Sequence, residues 1–138
     1  MARYLGDKSA LARVSLPPVS AVLLPLIQQH EVATCGIIQL EVLYSARSYN
    51  DLLATRFEIA QVYPHIPTTQ ADFDRAIDVM TELARRRLHR AVQAADLIIA
   101  AVAERAGLTL LHYDSDYDNI AAVTGRPMEW VVPRGTVP

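Results

Sequence analysis

The chain has 138 residues, 51% hydrophobic and 20% charged, with a net charge of −2. These values describe one compact domain with a real core, and they supply no global field to draw nucleic acid or an acidic membrane to the surface. The single cysteine, Cys35, excludes an internal disulfide and a multi-cysteine zinc site, and a lone thiol suits a reducing cytoplasm. The sequence predicts neither a signal peptide nor a membrane span, because no apolar run approaches the ~20 residues that a span needs.

Arg3 to Gly6 reads as a first strand, followed directly by Asp7. Ser9 to Val14 is a helical turn or two. A helix then runs from Pro17-Pro18 to about Gln29, with Pro25 expected to kink it. Val32 to Cys35 is a second buried strand, closed by Gly36. A helix over about 37–47 carries Ile37, Leu40, Leu43 and Tyr44 at helical spacing, with Glu41 near the same face. Asn50 is the expected N-cap of a helix through Val62, and Pro64 and Pro67 break the chain after it.

Thr69 caps an amphipathic helix over about 70–87, in which Phe73, Ile77, Met80, Leu83 and Ala84 repeat with the helical period. Arg85, Arg86, Arg87, His89 and Arg90 form the only dense basic group, at its end. Ala94 to Ala106 is a nearly all-apolar helix closed by Gly107, with Asp96 in its first turn. The apolar run Thr109-Leu110-Leu111-His112 is another strand, followed by acids at Asp114, Asp116 and Asp118. A helix over about 116–123 and a strand over 129–132 complete the chain, and only the last few residues look loose. Strands alternate with helices throughout, so the fold class is α/β: a mostly parallel sheet flanked by helices.

Most of the fifteen acids fit solvent faces or helix starts. Asp7, Glu41, Asp96, Asp114 and Asp116 do not, because in a parallel sheet all five gather at one end. Singly, each has an ordinary explanation. Asp7 caps the turn at Ser9, Asp96 answers the helix dipole, Asp116 is an N-cap and Glu41 is a solvated helix residue. Together they repel unless protons or a cation intervene. A hard cation such as Mg²⁺, which prefers oxygen ligands, explains all five, and it serves phosphodiester hydrolysis by activating water and neutralising developing charge.

The residues Asp7-Lys8-Ser9-Ala10-Leu11, Leu40-Glu41, Asp96 within Ala95-Asp96-Leu97-Ile98-Ile99, and Asp114-Ser115-Asp116-Tyr117 resemble the motifs of PIN domains. The tail Glu129-Trp130-Val131-Val132-Pro133 fits as well, so the resemblance spans essentially the whole chain, 1–138, as one domain. It is most similar to the VapC toxins of bacterial toxin–antitoxin pairs. That resemblance implies a three-layer PIN-like fold and an Mg²⁺- or Mn²⁺-dependent endoribonuclease with Asp7, Glu41, Asp96, Asp114 and Asp116 at the metal. It also implies a cognate VapB antitoxin and a homodimer. Lys8 departs from the family's usual Thr and either contacts substrate phosphate or weakens the metal. His112 departs from the family's Thr or Ser two residues before the fourth acid, and its place in a strand makes it a core histidine.

Arg85, Arg86, Arg87 and Arg90 are candidates for RNA phosphate contact, and they fit a solvated helix end equally. Tyr113 and Tyr117 flank the acids, where they could stack on bases; at Tyr117 the family has a core aromatic. The helix surfaces around Leu23, Leu26, Leu52 and Phe57 are candidates for a partner-helix groove, with core packing as the other role. Two rival functions stand beside the nuclease. A phosphoacceptor receiver domain requires a late lysine, and none follows Lys8. A PIN-like binding module without catalysis would act only through protein partners.

Overall fold

The computed structural model describes residues 1–138. Its strands are β1 (Tyr4–Gly6), β2 (Val32–Cys35), β3 (His65–Ile66), β4 (Thr109–His112) and β5 (Met128–Trp130). Its helices are α1 (Lys8–Leu11), α2 (Pro17–Gln28), α3 (Gly36–Tyr44), α4 (Tyr49–Val62), α5 (Gln70–Arg85), α6 (Ala94–Ala106) and α7 (Asp116–Thr124). The five strands form one sheet in the order β3-β2-β1-β4-β5, and every pairing is parallel.

The all-parallel arrangement follows from burial. Leu5, Val32, Ala33, Cys35, Leu110 and Leu111 are all buried, so β1, β2 and β4 show no alternation of apolar and polar residues. Strands apolar on both faces need helices on both faces. From β1 the chain moves outward to β2 and β3, then returns to β4 on the other side of β1 and continues to β5. Right-handed crossovers in opposite directions put their helices on opposite faces. The strand order therefore switches between β1 and β4, and in open α/β sheets that point, at the carboxyl ends, is where ligands bind.

Two residues fix the backbone there. A Cβ on Gly6 would lie 2.8 Å from Val32 Cγ1 and 3.2 Å from Leu11 Cδ2, so only glycine lets β1 run this close to its neighbours. The amide of Asp7 still donates to the Leu111 carbonyl (2.9 Å), which keeps the residue in register with β4 as it leaves the sheet.

Several expectations need correction. A strand, β3, lies between Pro64 and Pro67; two residues between prolines carry no alternation to read. Ser48, not Asn50, caps α4 by accepting from the Asp51 amide at 3.0 Å. In α3 the inward residue is Ile38, while Leu40 and Tyr44 are 66% and 89% exposed. In α5 the buried face is Asp72, Ala76, Val79 and Leu83, and Phe73, Ile77 and Met80 are exposed. The bulkier stripe gives the stronger periodic signal, but α5 packs on α6, whose buried Ala100, Ala101 and Ala103 favour a close approach by small residues.

Thr69 does cap α5, in a capping box with Asp72. The tail is not loose. The Tyr113 hydroxyl donates to the Val137 carbonyl (2.7 Å) and accepts from the amides of Gly135 (2.9 Å) and Val137 (3.2 Å).

Candidate metal centre at the carboxyl end of the sheet

Each acid is delivered by a different element. Asp7 follows β1 and caps α1, its Oδ2 accepting from the Ser9 amide at 2.9 Å and the Ser9 hydroxyl at 2.6 Å. The Ser9 hydroxyl in turn accepts from the Tyr113 amide (2.9 Å), which ties α1 to the end of β4. Asp7 Oδ1 accepts from the Tyr117 hydroxyl at 2.8 Å. Asp96 sits in the first turn of α6, buried, with Oδ1 3.3 Å from the same hydroxyl. Asp114 follows β4, and its Oδ1 accepts from the Asp116 amide (2.9 Å), a short turn that starts α7. Glu41 reaches in from α3.

Four of the five acids, Asp7, Glu41, Asp96 and Asp114, line one open cavity of about 750 Å³. Asp116 is not on its wall, but carboxylate oxygens of Asp96, Asp114 and Asp116 lie within 4.8 Å of one another. The ordinary explanations hold in part. Asp7 is an N-cap and Asp96 does sit in a first helical turn, whereas the N-cap position of α7 is Ser115 rather than Asp116.

The electrostatics follow from this crowding. Burial, then the charges of Asp7 and Asp114, pushes Asp96 up to about 7, against a small opposing contribution from the Tyr117 hydrogen bond. Burial raises Glu41, with Asp7 adding to the rise and Lys8 opposing it. Burial and then Asp114 raise Asp116. Burial also holds the Tyr117 phenol well above its usual range, so it remains a neutral donor.

The donor set fits a hard cation. Every candidate ligand is a carboxylate oxygen, with no thiolate and no exposed imidazole nearby to select a softer metal. Glu41 Oε1 is buried and has no hydrogen-bond partner, although a buried carboxylate oxygen normally has one. A cation in the cavity would supply that partner.

His112 is fully buried, as expected of a core histidine, and its ring lies 5.0 Å from Tyr117 and 5.2 Å from Trp130. Burial lowers its pKa, so the ring is neutral. Its Nδ1 accepts from the Asp114 backbone amide (3.2 Å), which assigns the proton to Nε2, a buried atom with no hydrogen-bond partner.

The basic residues divide into two groups. Lys8, Arg13 and Arg134 line the cavity. Arg13 also donates to the Ser9 carbonyl (2.6 Å) and stacks over Tyr113 at 4.7 Å. Arg85, Arg86, Arg87 and Arg90 lie exposed at and beyond the end of α5, away from the cavity wall, with Arg85 and Arg86 facing Glu82 at 3.2 and 3.8 Å. The cap of Asp7 on the Ser9 turn is as the sequence leads one to expect. Sequence reading missed Arg13, Arg134 and the Tyr117 hydroxyl, none of which leaves a local signal.

This parallel sheet, with an acid-lined cavity at its switch point, defines a PIN domain, and the PIN domain family matches residues 5–123. The chain is 46% identical over 136 residues to Ribonuclease VapC21 of Mycobacterium tuberculosis, covering 97% of each protein. It is 41% identical to Ribonuclease VapC18 of the same organism, covering 97% of this chain and 98% of that one. The chain therefore belongs to the PIN-domain family and, within it, to the VapC ribonucleases.

Solved structures share the fold at lower identity. A DNA-bound VapBC from Salmonella typhimurium aligns with a TM-score of 0.75 at 16% identity, covering 96% of this chain and all of that one. A toxin–antitoxin complex from Klebsiella pneumoniae aligns with a TM-score of 0.72 at 19% identity, covering 94% and 98%. PIN-domain ribonucleases use divalent metal ions, in keeping with the acidic cluster found here.

Proposed function

We propose that this chain is a single-domain, Mg²⁺- or Mn²⁺-dependent endoribonuclease, the toxin of a toxin–antitoxin pair. The observation that carries the reading is the convergence of Asp7, Glu41, Asp96 and Asp114 on one cavity, with Glu41 Oε1 buried and unpartnered. These four would hold the cation, with Asp116 beside Asp96 and Asp114. A cation bound there would supply an activated water and neutralise charge developing on the phosphodiester.

The chain's own residues do the rest. Lys8, Arg13 and Arg134 place positive charge around the acids, where the RNA backbone must approach. No side chain serves as nucleophile. The Ser9 hydroxyl is committed to Asp7 and the Tyr113 amide, and His112 is buried and neutral. The cavity is open to solvent, and a single strand can splay its bases out of a stack to approach it.

The partner is a VapB-type antitoxin, as in the toxin–antitoxin complexes that share this fold. Leu23 is fully buried and unavailable to it. A groove of about 350 Å³ lined by Leu11, Val14, Ile38, Val42, Ile59 and Tyr63 adjoins the active-site cavity and shares Lys8 and Ala12 with it. An amphipathic antitoxin segment seated there reaches the acids directly. The exposed stripe of Phe73, Ile77 and Met80 gives a homodimer its apolar surface. No helix is long and apolar enough to cross a membrane, and the proposed place of action is the cytoplasm.

The test is cleavage-site mapping on a panel of cellular RNAs with Mg²⁺, Mn²⁺ or EDTA. Metal-dependent cuts at defined sites, relieved by the antitoxin, support the reading. Binding of antitoxin without any cleavage would leave a PIN-like binding module in its place.

A further inference from the structure

We propose that the Tyr117 hydroxyl is a positioning group for the metal centre, one that fixes Asp7 as a ligand through a single lone pair of Oδ1. This role rests on the metal-dependent reading above, and it follows from how the four lone pairs of Asp7 are used. Oδ2 accepts from both the Ser9 amide and the Ser9 hydroxyl, so both of its lone pairs are occupied. Oδ1 accepts from Tyr117, which leaves one lone pair for the cavity. Asp7 thus reaches a cation through one oxygen only.

The hydroxyl, not the ring, carries this role. The ring is fully buried against His112, and a phenylalanine would fill the same volume. A buried hydroxyl beside carboxylates is costly unless it donates. Its single proton goes to Asp7 at 2.8 Å, while Asp96 Oδ1 stands at 3.3 Å. The group therefore lies between two acids delivered by β1 and α6 and holds their spacing from a third element, α7. Partners that orient metal-binding residues typically change metal affinity 10–100-fold when removed.

The experiment compares wild type with Tyr117→Phe and with Ile120→Val, a buried core substitution on the same helix. Mn²⁺ binding is measured by calorimetry and by the loss of the free-ion electron paramagnetic resonance signal. Far-UV circular dichroism and melting in EDTA report the fold. The expected result is a folded Tyr117→Phe protein whose Mn²⁺ dissociation constant rises about tenfold or more, with Ile120→Val unchanged. Cleavage by Tyr117→Phe then recovers toward the wild-type kcat at saturating Mn²⁺. Wild-type affinity in Tyr117→Phe, or equal weakening in both variants, overturns the positioning role and leaves the metal reading standing. A wild type that binds no Mn²⁺ overturns both.

Discussion

Gly6 and Val32 approach so closely across β1 and β2 that a Cβ on Gly6 would lie 2.8 Å from Val32 Cγ1. That approach sets where β1 ends and therefore where Asp7 leaves the sheet. Gly6→Ala should overpack the junction and lower stability by about 1–3 kcal/mol, measured by chemical denaturation. Because Leu11 and α1 must shift too, Mn²⁺ affinity should fall with it. A variant as stable as wild type would show that β1 has room to move.

Asp7→Asn and Asp114→Asn test the centre itself. Each removes a charge from the cavity while keeping the size of the side chain. Cleavage should fall by at least about a hundredfold, the scale on which losing charge stabilisation at a reacting phosphate is felt. Circular dichroism should be unchanged. Wild-type rates in both variants would remove these acids from the site.

RNA has two places to meet positive charge on this surface, and salt dependence separates them. For a single strand, each phosphate that is no longer neutralised should flatten the slope of log K against log salt by about 0.7. Arg134→Ala, on the cavity wall, should flatten it by about one such step. Joint replacement of Arg85, Arg86 and Arg87 by Ala should flatten it by up to about three such steps, since the pairs of Arg85 and Arg86 with Glu82 are exposed and weak. An unchanged slope in the triple variant would return these arginines to a solvated helix end. An unchanged slope in Arg134→Ala would take the phosphate path off that wall.

What the sequence reveals of this centre depends on how locally each residue is placed. Asp7 and Asp114 are legible because an acid directly after an apolar strand has one place to go in a parallel sheet. Asp96, an ordinary first-turn acid by itself, is legible only because four other acids fall at the same end of the sheet. The Tyr117 hydroxyl is not legible, since its partners are 110 and 21 residues away and the ring alone accounts for burial. Arg134 lies in the tail that folds back onto Tyr113, and Arg13 is held at the cavity by the Ser9 carbonyl and the Tyr113 ring, contacts that no periodicity announces. The buried face of α5 is not legible either, because period identifies a stripe but does not say which neighbour it meets.

The crowding of carboxylates makes stability depend on pH, and the sign is fixed by Asp96. Its folded-state pKa is about 7, above the ordinary value of 3.8. Between those values the folded protein holds a proton that the unfolded chain has released. Stability in EDTA should therefore fall as pH rises from about 4 to about 7 and level off above it. The loss is at most about 4 kcal/mol at 1.36 kcal/mol per unit, and Glu41 and Asp116 shift in the same direction. Asp96→Asn removes the titrating group, so its melting temperature in EDTA should exceed the wild type's at pH 8 and vary less with pH. A cation that binds only the folded state reverses the effect for wild type, by about 2.7 kcal/mol at a hundredfold excess over Kd, and should do much less for Asp96→Asn. An Asp96 that served only the dipole of α6 predicts the opposite in EDTA: the variant should be less stable by up to ~1 kcal/mol. Melting both proteins at pH 5 and pH 8, with Mn²⁺ and with EDTA, decides between the two.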